Sequence, residues 1–401
     1  MKNKKWIKFR HRVVRRIFGA LLYPYIRIKY GVKPKRFESG KRAYLVLYNH
    51  QTPFDQFFVA LSFGRPVYFL ASEDIFSKGL VSSAIRYLAA PIPIKKNTFD
   101  LYAVRKCAQV AKEGGTLAIA PEGNRTYSGR TGYMAQTIAG LAKRLGLPVA
   151  LYRIEGGYGV QPRWSDKTRR GKMRSYVARV IEPEEYAQMT ERELFEQIRQ
   201  GLYVDENAPT GEYISKKSAE YLERAAYVCP FCGLSEFESR GTRIKCKKCL
   251  REIEYGAGKT LKGVGFELPF EYFGEWYDLQ NRFVSSLDLS AYREKPLFTD
   301  TASIYEVEFC KSKKLLRANA SVALYGDRIV VDEGGPDCLT FTFSELSASA
   351  VLGRNKFNIY RSRTAYQFRG GKRFNALKYV NIYYLSKNIL TEDPDVKFLG
   401  L

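Results

Sequence analysis

Short apolar runs alternate with helical stretches through the first half of the chain, beginning near residue 43. The apolar runs, each of strand length, are 44–48, 67–71, 92–94, 116–120 and 148–154, and helical stretches at 53–64, 75–89, 98–113 and 132–145 separate them. This alternation is typical of an α/β domain with a mostly parallel core sheet. A further strand over 172–181 and a capping-box helix opening at 190–194 complete the pattern. We therefore predict an α/β domain over residues 38–205.

The second half has a different organisation. A polar joint at 205–210 and a predicted helix at 213–226 lead to a cysteine-rich segment, 225–256. Short strands separated by Gly- and Asp-rich turns follow, and a helix over 374–385 closes a β-rich domain at 300–390. That order of strands and closing helix weakly resembles a pleckstrin-homology-like domain. A length of 401 residues accommodates two or three such domains.

The chain is strongly basic, with 66 Lys and Arg against 41 Asp and Glu and a formal net charge of +25. Such a charge favours a polyanionic partner, either nucleic acid or an anionic membrane. Residues 1–37 carry thirteen bases and no acid, interleaved with apolar and aromatic side chains. We predict a retained amphipathic segment lying in a membrane interface, with a solvated basic helix packed on the first domain as the alternative. It is too short and too charged to span a bilayer.

One of only two histidines, His50, follows the first predicted strand, and Asp55 lies five positions further on. A neutral imidazole that is to take a proton from a hydroxyl needs its tautomer fixed, which a nearby carboxylate does. The purely structural alternative is a helix start, in which Thr52 is the N-cap residue, Pro53 takes the first helical position and the Asp55 side chain bonds back to the cap. His50 is the candidate general base, and Asp55 the residue that orients it.

A second motif, Ala120-Pro121-Glu122-Gly123-Asn124-Arg125-Thr126, follows the predicted strand 116–120. Together with the His50 segment and the later Pro148-Val149 block, it resembles the glycerolipid acyltransferases typified by 1-acylglycerol-3-phosphate acyltransferase. The resemblance covers residues 30–205, about half of the chain. Taken alone, the second motif could be an ordinary strand-to-loop turn.

The resemblance implies that Glu122, Gly123 and Arg125 hold the glycerol phosphate of an acceptor, a role for which a glycine turn and a guanidinium are suited. Two departures from the family pattern leave the acceptor open. Asn124 replaces the usual Thr, and Lys95 and Lys96 lie where the family often has an Ile-Asp-Arg-like block. These two lysines are candidate substrate contacts or part of a solvated loop.

Four cysteines form two Cys-x-x-Cys pairs with thirteen residues between them: Cys229, Cys232, Cys246 and Cys249. Four thiolates at this spacing predict a zinc ribbon with a closed, structural site. Two disulfides or a redox pair are the less favoured alternative. Reduced thiolates indicate a reducing compartment, so we expect the first domain to face the cytoplasm. Basic residues around the ribbon keep a nucleic-acid-binding function open.

Together with the basic amino-terminal segment, the resemblance implies a membrane-associated O-acyltransferase that belongs to phospholipid biosynthesis. It would move a fatty acyl group from acyl-CoA or acyl carrier protein to the free hydroxyl of a lysophospholipid, with 1-acylglycerol-3-phosphate, giving phosphatidic acid, as the favoured acceptor. The expected location is the cytoplasmic face of a membrane, peripheral or monotopic, and nucleic acid is the disfavoured partner. The alternative is a catalytically inactive scaffold that binds nucleic acid or lipid through the zinc ribbon and its basic surface.

Overall fold

A computed structural model describes residues 5–72, 75–76, 79–94, 100–308, 313–362 and 364–391. The chain divides into two compact units. The first consists of residues 1–162 and 168–213, and the second of residues 163–167 and 214–401. The boundary at 213 falls a few residues after the predicted end of the first domain, and the short segment 163–167 was not predicted to leave that domain.

The first unit contains one sheet and eight helices among its described residues. Its strands are β1 (Leu45–Tyr48), β2 (Val67–Ser72), β3 (Ile92–Ile94), β4 (Thr116–Ile119), β5 (Val149–Glu155) and β6 (Arg174–Ile181). Its helices are α1 (Phe9–Tyr30), α2 (Asp55–Ser62), α3 (Leu80–Leu88), α4 (Leu101–Lys112), α5 (Thr137–Leu145), α6 (Gly157–Val160), α7 (Pro183–Ala187) and α8 (Glu191–Leu202).

The sheet has the order β3-β2-β4-β1-β5-β6, with β5 and β6 antiparallel and every other neighbouring pair parallel. The central strands β1 and β4 are buried along their whole length. Their continuous apolar sequence follows from this position, because helices cover both faces of a parallel sheet. Buried side chains form a separate apolar cluster on each face. The predicted α/β class and mostly parallel core sheet are confirmed.

Helix α1 carries a stripe of exposed apolar side chains. It also packs on the domain, since His11, Ile26 and Tyr30 are buried. The helix ends at Gly31, whose φ of 60° is left-handed and whose Cβ, if it had one, would lie 2.2 Å from the Gly171 carbonyl oxygen. Within the described part of the chain, no helix combines the length and the hydropathy needed to cross a membrane.

The second unit is mostly β-structure. Its strands are β7 (Val228–Cys229), β8 (Gly233–Leu234), β9 (Phe237–Arg240), β10 (Arg243–Cys246), β11 (Glu252–Tyr255), β12 (Leu261–Gly263), β13 (Phe298–Val307), β14 (Lys313–Leu324), β15 (Arg328–Val331), β16 (Leu339–Thr342), β17 (Leu346–Leu352), β18 (Lys356–Arg361) and β19 (Thr364–Gly370). Its described residues also form two α-helices, α9 (Phe273–Ser285) and α10 (Leu377–Thr391).

Strands β9 to β12 form a four-stranded sheet, and β7 pairs with β8 beside it. Strands β13 to β19 form one antiparallel seven-stranded sheet in the order β16-β15-β14-β13-β19-β18-β17. Helix α10 follows the last strand and packs on β17. The predicted β-rich region with a closing helix is confirmed, whereas the pleckstrin-homology-like assignment stays a prediction.

The predicted helix at 213–226 is wrong, because this stretch holds only a short 3₁₀ turn at Leu222–Arg224. Polar groups of this stretch form hydrogen bonds with the neighbouring ribbon instead of the i to i−4 bonds of a helix. The Tyr221 amide donates to Ser239 Oγ, and Ser218 Oγ donates to the Tyr255 carbonyl. Tyr221 itself has a left-handed φ of 75°, which no α-helix accommodates.

Candidate active site

The candidate site lies at the carboxyl ends of β1, β4 and β5, the edge at which parallel α/β sheets bind ligands. Asn49 and His50 follow β1 directly. Both polar ends of the Asn49 side chain bond to Ile154 of β5: its amide donates to the carbonyl at 2.8 Å, and its oxygen accepts from the N–H at 2.7 Å. The backbone that carries His50 is therefore fixed to the neighbouring strand.

His50 and Asp55 are in direct contact, with 2.7 Å between His50 Nδ1 and Asp55 Oδ2. The Asp55 side chain is completely buried, whereas that of His50 is 22% exposed. Asp55 also accepts from the backbone amides of Gln51 and Thr52 and from Thr52 Oγ1. The carboxylate thus reaches back to the loop before α2 and holds the imidazole at the same time.

This arrangement can perform base chemistry. A neutral imidazole that donates from Nδ1 to a carboxylate keeps its basic lone pair on Nε2. Asp55 also favours the imidazolium that forms once a proton has been taken up. The helix-start alternative is partly realised as well, since α2 begins at Asp55 and Thr52 Oγ1 accepts from the Phe54 amide.

The second motif joins the first through Glu122. Its Oε1 accepts from the His50 amide at 2.7 Å, and its Oε2 accepts from the Gly132 amide at 2.5 Å. The Thr126 amide donates in turn to the His50 carbonyl at 3.0 Å. Burial raises the pKa of Glu122 to about 8, although the two N–H donors favour the ionised form. Both backbone groups of His50 are therefore held by the loop that follows β4.

Gly123 lies at the exposed turn of that loop, with a left-handed φ of 67°. Its amide donates to the Ala120 carbonyl, which closes the turn. Arg125 follows two residues later and is half-buried. The structure thus brings Gly123 and Arg125 to the edge of the sheet that carries His50, and their acceptor-binding role stays a prediction. Lys95 and Lys96 lie outside the described residues.

A buried polar group behind His50 was not predicted from sequence. Gln51 Nε2 donates to Glu206 Oε1 at 3.2 Å, and Gln51 Oε1 accepts from the Tyr158 amide, also at 3.2 Å. Glu206 accepts in addition from the Gly156 amide after β5. Gln51 and Glu206 are both buried. The sequence gives no local signal for this group, because 155 positions separate the two side chains.

Gly157 lets α6 approach the His50 loop. A Cβ at this position would lie 2.6 Å from Gln51 Oε1 and 2.9 Å from Thr52 Cγ2. Real Cβ atoms do not tolerate such distances, so any side chain here displaces the loop that carries the imidazole. Gly157 was also missed by sequence reasoning.

The four predicted metal ligands converge in the second unit. The Sγ atoms of Cys229, Cys232, Cys246 and Cys249 all lie within 4.8 Å of one another. Two of the separations are 3.7 Å, Cys229 to Cys249, and 3.6 Å, Cys232 to Cys246. A tetrahedron with Zn–S bonds of about 2.3 Å has S···S edges of about 3.8 Å. The donor set fits a zinc ion, and these four thiols are not paired as disulfides.

The histidine–aspartate pair at the carboxyl edge of this sheet, joined to a Pro-Glu-Gly loop, lies within a stretch that matches a known protein family. Residues 30–152 match the family model described as Acyltransferase. The predicted resemblance to an acyltransferase family is thereby confirmed for this part of the chain.

Two curated relatives are similar to this part. A chloroplastic 1-acyl-sn-glycerol-3-phosphate acyltransferase, BAT2, from Brassica napus is 23% identical over 162 residues, which is 40% of this chain and 46% of that protein. The chloroplastic LPAT1 of Arabidopsis thaliana, of the same description, is also 23% identical over 162 residues and is covered to 44%. The chain thus spans less than half the length of either relative.

A solved structure also resembles the chain. It is the 1-acyl-sn-glycerophosphate acyltransferase PlsC from Thermotoga maritima, with 22% identity and a TM-score of 0.40. The match covers 48% of this chain and 76% of that one. This likeness is too distant to carry an argument.

Proposed function

We propose that the protein is an O-acyltransferase that moves a fatty acyl group from a thioester, acyl-CoA or acyl carrier protein, to the free hydroxyl of a lysophospholipid. The favoured acceptor is 1-acylglycerol-3-phosphate, which gives phosphatidic acid. The observation that carries the proposal is the 2.7 Å contact between His50 and a fully buried Asp55 inside the acyltransferase domain. Both plant relatives are 1-acyl-sn-glycerol-3-phosphate acyltransferases, which supports the choice of acceptor.

In the proposed mechanism, His50 Nε2 takes the proton of the acceptor hydroxyl as its oxygen attacks the thioester carbonyl. Asp55 orients the ring and stabilises the imidazolium. The tetrahedral intermediate collapses, the C–S bond breaks, and the proton on His50 passes to the departing thiolate. Transfer is direct, without an acyl-enzyme. Cys107 fits this view, because burial raises the pKa of its thiol to about 12 and keeps it protonated.

Acceptor binding is assigned to the loop after β4. Arg125 supplies a guanidinium for the phosphate, and the open turn at Gly123 allows close approach. Glu122 acts by holding the His50 backbone, which supports a positioning role within the substrate-binding loop. Lys95 and Lys96 remain candidate phosphate contacts on the basis of charge and sequence position alone.

The test measures release of free thiol from an acyl thioester with and without 1-acylglycerol-3-phosphate and with a small panel of other lysophospholipids. His50→Ala is expected to abolish acceptor-dependent release, whereas His11→Gln, a conservative change at the other histidine, should leave it close to wild type. Full activity in His50→Ala would refute the mechanism. A wild-type protein that releases no thiol with any acceptor would favour the inactive scaffold.

Membrane association is proposed through α1. Phe9, Leu21 and Ile28 are 77%, 67% and 87% exposed on this basic helix. Exposed apolar side chains beside lysines and arginines suit a helix lying in a bilayer interface. Replacing these three residues by Ser is expected to reduce co-sedimentation with anionic vesicles, and equal co-sedimentation of wild type and variant would argue against this role.

Structural zinc is proposed for the four-cysteine site. It would hold the β7–β8 turn against the end of β10, and the thiolates imply a reducing, cytoplasmic environment. Cys246→Ser is expected to lose one equivalent of bound zinc and to lower the melting temperature, whereas Cys338→Ser, at an exposed cysteine outside the cluster, should change neither. Equal zinc content in the two variants would contradict the assignment.

Nucleic acid stays the disfavoured partner. Three of the basic side chains on the ribbon face carboxylates of the same ribbon: Arg243 and Lys245 approach Glu252, and Lys247 approaches Glu236. Such pairing reduces the positive charge that the ribbon offers to a phosphate backbone. Salt-sensitive RNA or DNA binding that competes with vesicles would revive that alternative.

A further inference from the structure

A cleft of about 560 Å³ in the first unit is lined almost entirely by bases and glycines. We call it the basic cleft. Three of its bases project from α1, and the others lie in the loops that precede β1 and β2. Its lining residues are Arg12, Arg15, Arg16, Lys41, Gly64, Arg65, Pro66 and Gly114.

The basic cleft lies at the opposite edge of the sheet from His50. Lys41 precedes β1, Arg65 precedes β2, and Gly114 precedes β4, so the cleft is at the amino ends of these strands. Along α1, Arg16 is fourteen residues from Tyr30, whose ring packs on Phe54 of the catalytic loop region. At 1.5 Å per residue that is about 20 Å. One glycerol phosphate cannot occupy the cleft and present its hydroxyl to His50.

The charge of the cleft is not balanced from within. Among the residues that the structure describes, no carboxylate lines it, and none of its five bases forms an ion pair. The nearest acid in sequence, Glu113, accepts from the Trp6 and Ile7 amides. Burial, with Arg36 and Arg16 nearby, lowers the pKa of Arg15. An anion in the cleft would relieve this repulsion.

Two of the guanidinium groups are already fixed. Arg15 donates to the Phe63 carbonyl, and Arg65 donates to the Lys41 carbonyl. A guanidinium held in this way loses little freedom when it binds a ligand, and its fork suits the oxygens of a phosphate. Arg12, Arg16 and Lys41 are exposed and add three further positive charges to the lining of the cleft.

We propose that the basic cleft is a phosphate-binding site separate from the acyl-transfer site. The source we favour is the phosphate of an acidic lipid headgroup. Arg12 and Arg16 alternate along α1 with Phe9, Val13 and Ile17, which are exposed. Side chains three and four positions apart are neighbours on a helix, so the apolar stripe borders the cleft. A bilayer that receives this stripe also presents its headgroup phosphates to the cleft.

The first arm of the test uses soluble phosphate. Pyrophosphate is titrated calorimetrically into the full-length wild type, into Arg16→Gln/Lys41→Gln, and into the matched variant Arg27→Gln/Lys33→Gln. The matched pair also removes one base from α1 and one from a loop, but both lie outside the cleft. We expect about tenfold weaker binding for the cleft pair, and wild-type affinity for the matched pair. Arg16→Lys/Lys41→Arg, which keeps both charges, should retain binding.

The second arm measures co-sedimentation with phosphatidylcholine vesicles that contain or lack an acidic phospholipid. A lipid source predicts that the cleft pair loses more binding to the acidic vesicles than the matched pair. If both pairs lose vesicle binding equally but only the cleft pair loses pyrophosphate binding, the site is supported and its ligand is a soluble phosphate compound. If the two pairs behave alike in both arms, the proposal is wrong. Both arms are repeated in His50→Ala, where binding should persist, so failure of the proposed acyl transfer is a separate result.

Discussion

Asp55 illustrates how one buried carboxylate serves both the backbone and the reaction. It accepts from two amides and a hydroxyl of the loop before α2 while it bonds to His50 Nδ1. The ring orientation and the loop conformation are therefore set by the same side chain. A change at this residue affects both, and the experiment has to separate the two effects.

Asp55→Asn is expected to lower kcat/KM by about 100-fold or more, because an amide neither fixes the tautomer nor stabilises the imidazolium. The matched measurement is the same change in His50→Ala, where Asp55 has no ring left to orient. There we expect no further loss, since residues that act as a unit are not additive. A full additional 100-fold loss in the double variant would show that Asp55 acts only on the fold.

We expect Glu122 to make the stability of the folded protein depend on pH. Its pKa, about 8, lies above the ordinary value of 4.5, so the folded protein binds this proton more tightly than the unfolded chain. The corresponding stability is fully present below pH 4.5 and is lost as the pH rises through 8. Its slope is at most about 1.4 kcal/mol per pH unit.

Urea unfolding of wild type and Glu122→Gln between pH 5 and 9 tests this dependence. The stability of wild type relative to the variant should fall across the range, because Gln cannot ionise. A difference that stays constant with pH would show that Glu122 does not titrate there. The NH2 group of Gln would also face one of the two backbone N–H groups that Glu122 accepts from. We therefore expect Glu122→Gln to lower kcat at every pH.

At the scale of elements, α6 depends on the absence of a side chain. Gly157→Ala is expected to lower kcat at least tenfold, because the new methyl group would meet Gln51 and Thr52 and shift the loop that carries His50. Gly19→Ala is the matched control, since its Cβ meets only Leu61 Cδ2 at 3.5 Å. An active Gly157→Ala with an unchanged melting temperature would contradict the assigned role of this contact.

Strands β1 to β5 of the first unit could be predicted because each contains a short, mostly apolar run between turn signals. The same reasoning overlooked α9, although its buried residues Phe273, Trp276, Tyr277 and Val284 recur at helical spacing, and it missed β13, whose Thr, Asp and Ser residues interrupt the apolar pattern. It also misassigned 213–226, where the backbone bonds to the ribbon instead of to itself. Pairing with distant partners decided β13 and the segment 213–226, and a local pattern does not contain that information.

The candidate site likewise contains residues that could be predicted from the sequence and contacts that could not. His50 and Asp55 were predictable because base and orienter lie five positions apart, and the Pro-Glu-Gly motif marked the second loop. The bond between Glu122 and the His50 amide, and the Gln51–Glu206 contact, depend on how the ends of different strands meet. Residues of these types are too common for their positions in sequence to indicate such contacts.

At the scale of the whole molecule, residues 163–167 belong to the second unit although first-unit sequence flanks them on both sides. Within the second unit, the ring of Trp164 packs on Tyr255, with 5.7 Å between centroids. Arg224, which is buried, pairs with Asp166 at 2.8 Å and donates to the Trp164 carbonyl. A five-residue segment thus supplies an aromatic contact and the counter-charge of a buried guanidinium.

Asp166→Asn is expected to destabilise the second unit by about 1–3 kcal/mol, because it leaves the buried Arg224 without its counter-ion. The loss is smaller than for a fully buried ion pair, because solvent reaches the partly exposed Asp166 and screens the interaction. Asp337→Asn removes the partner of Arg317 at a site where the carboxylate is 77% exposed, and should cost less than about 0.5 kcal/mol. Chemical denaturation of both variants provides the measurement. Equal stability losses would argue against a structural role for the segment.

Membership of 163–167 in the second unit also sets an order of events during synthesis. Trp164 leaves the ribosome roughly 90 residues before its partner Tyr255, an interval of about 5–18 s at ordinary rates of translation. The Val351 carbonyl, to which Arg163 donates, arrives later still. The nascent chain therefore carries an indole without its Tyr255 contact at a time when all strands of the first-unit sheet, which end at Ile181, have been synthesised. A synonymous codon change that slows translation between residues 214 and 255 would lengthen the time that Trp164 spends without Tyr255. We expect it to increase the fraction of chains captured by chaperones.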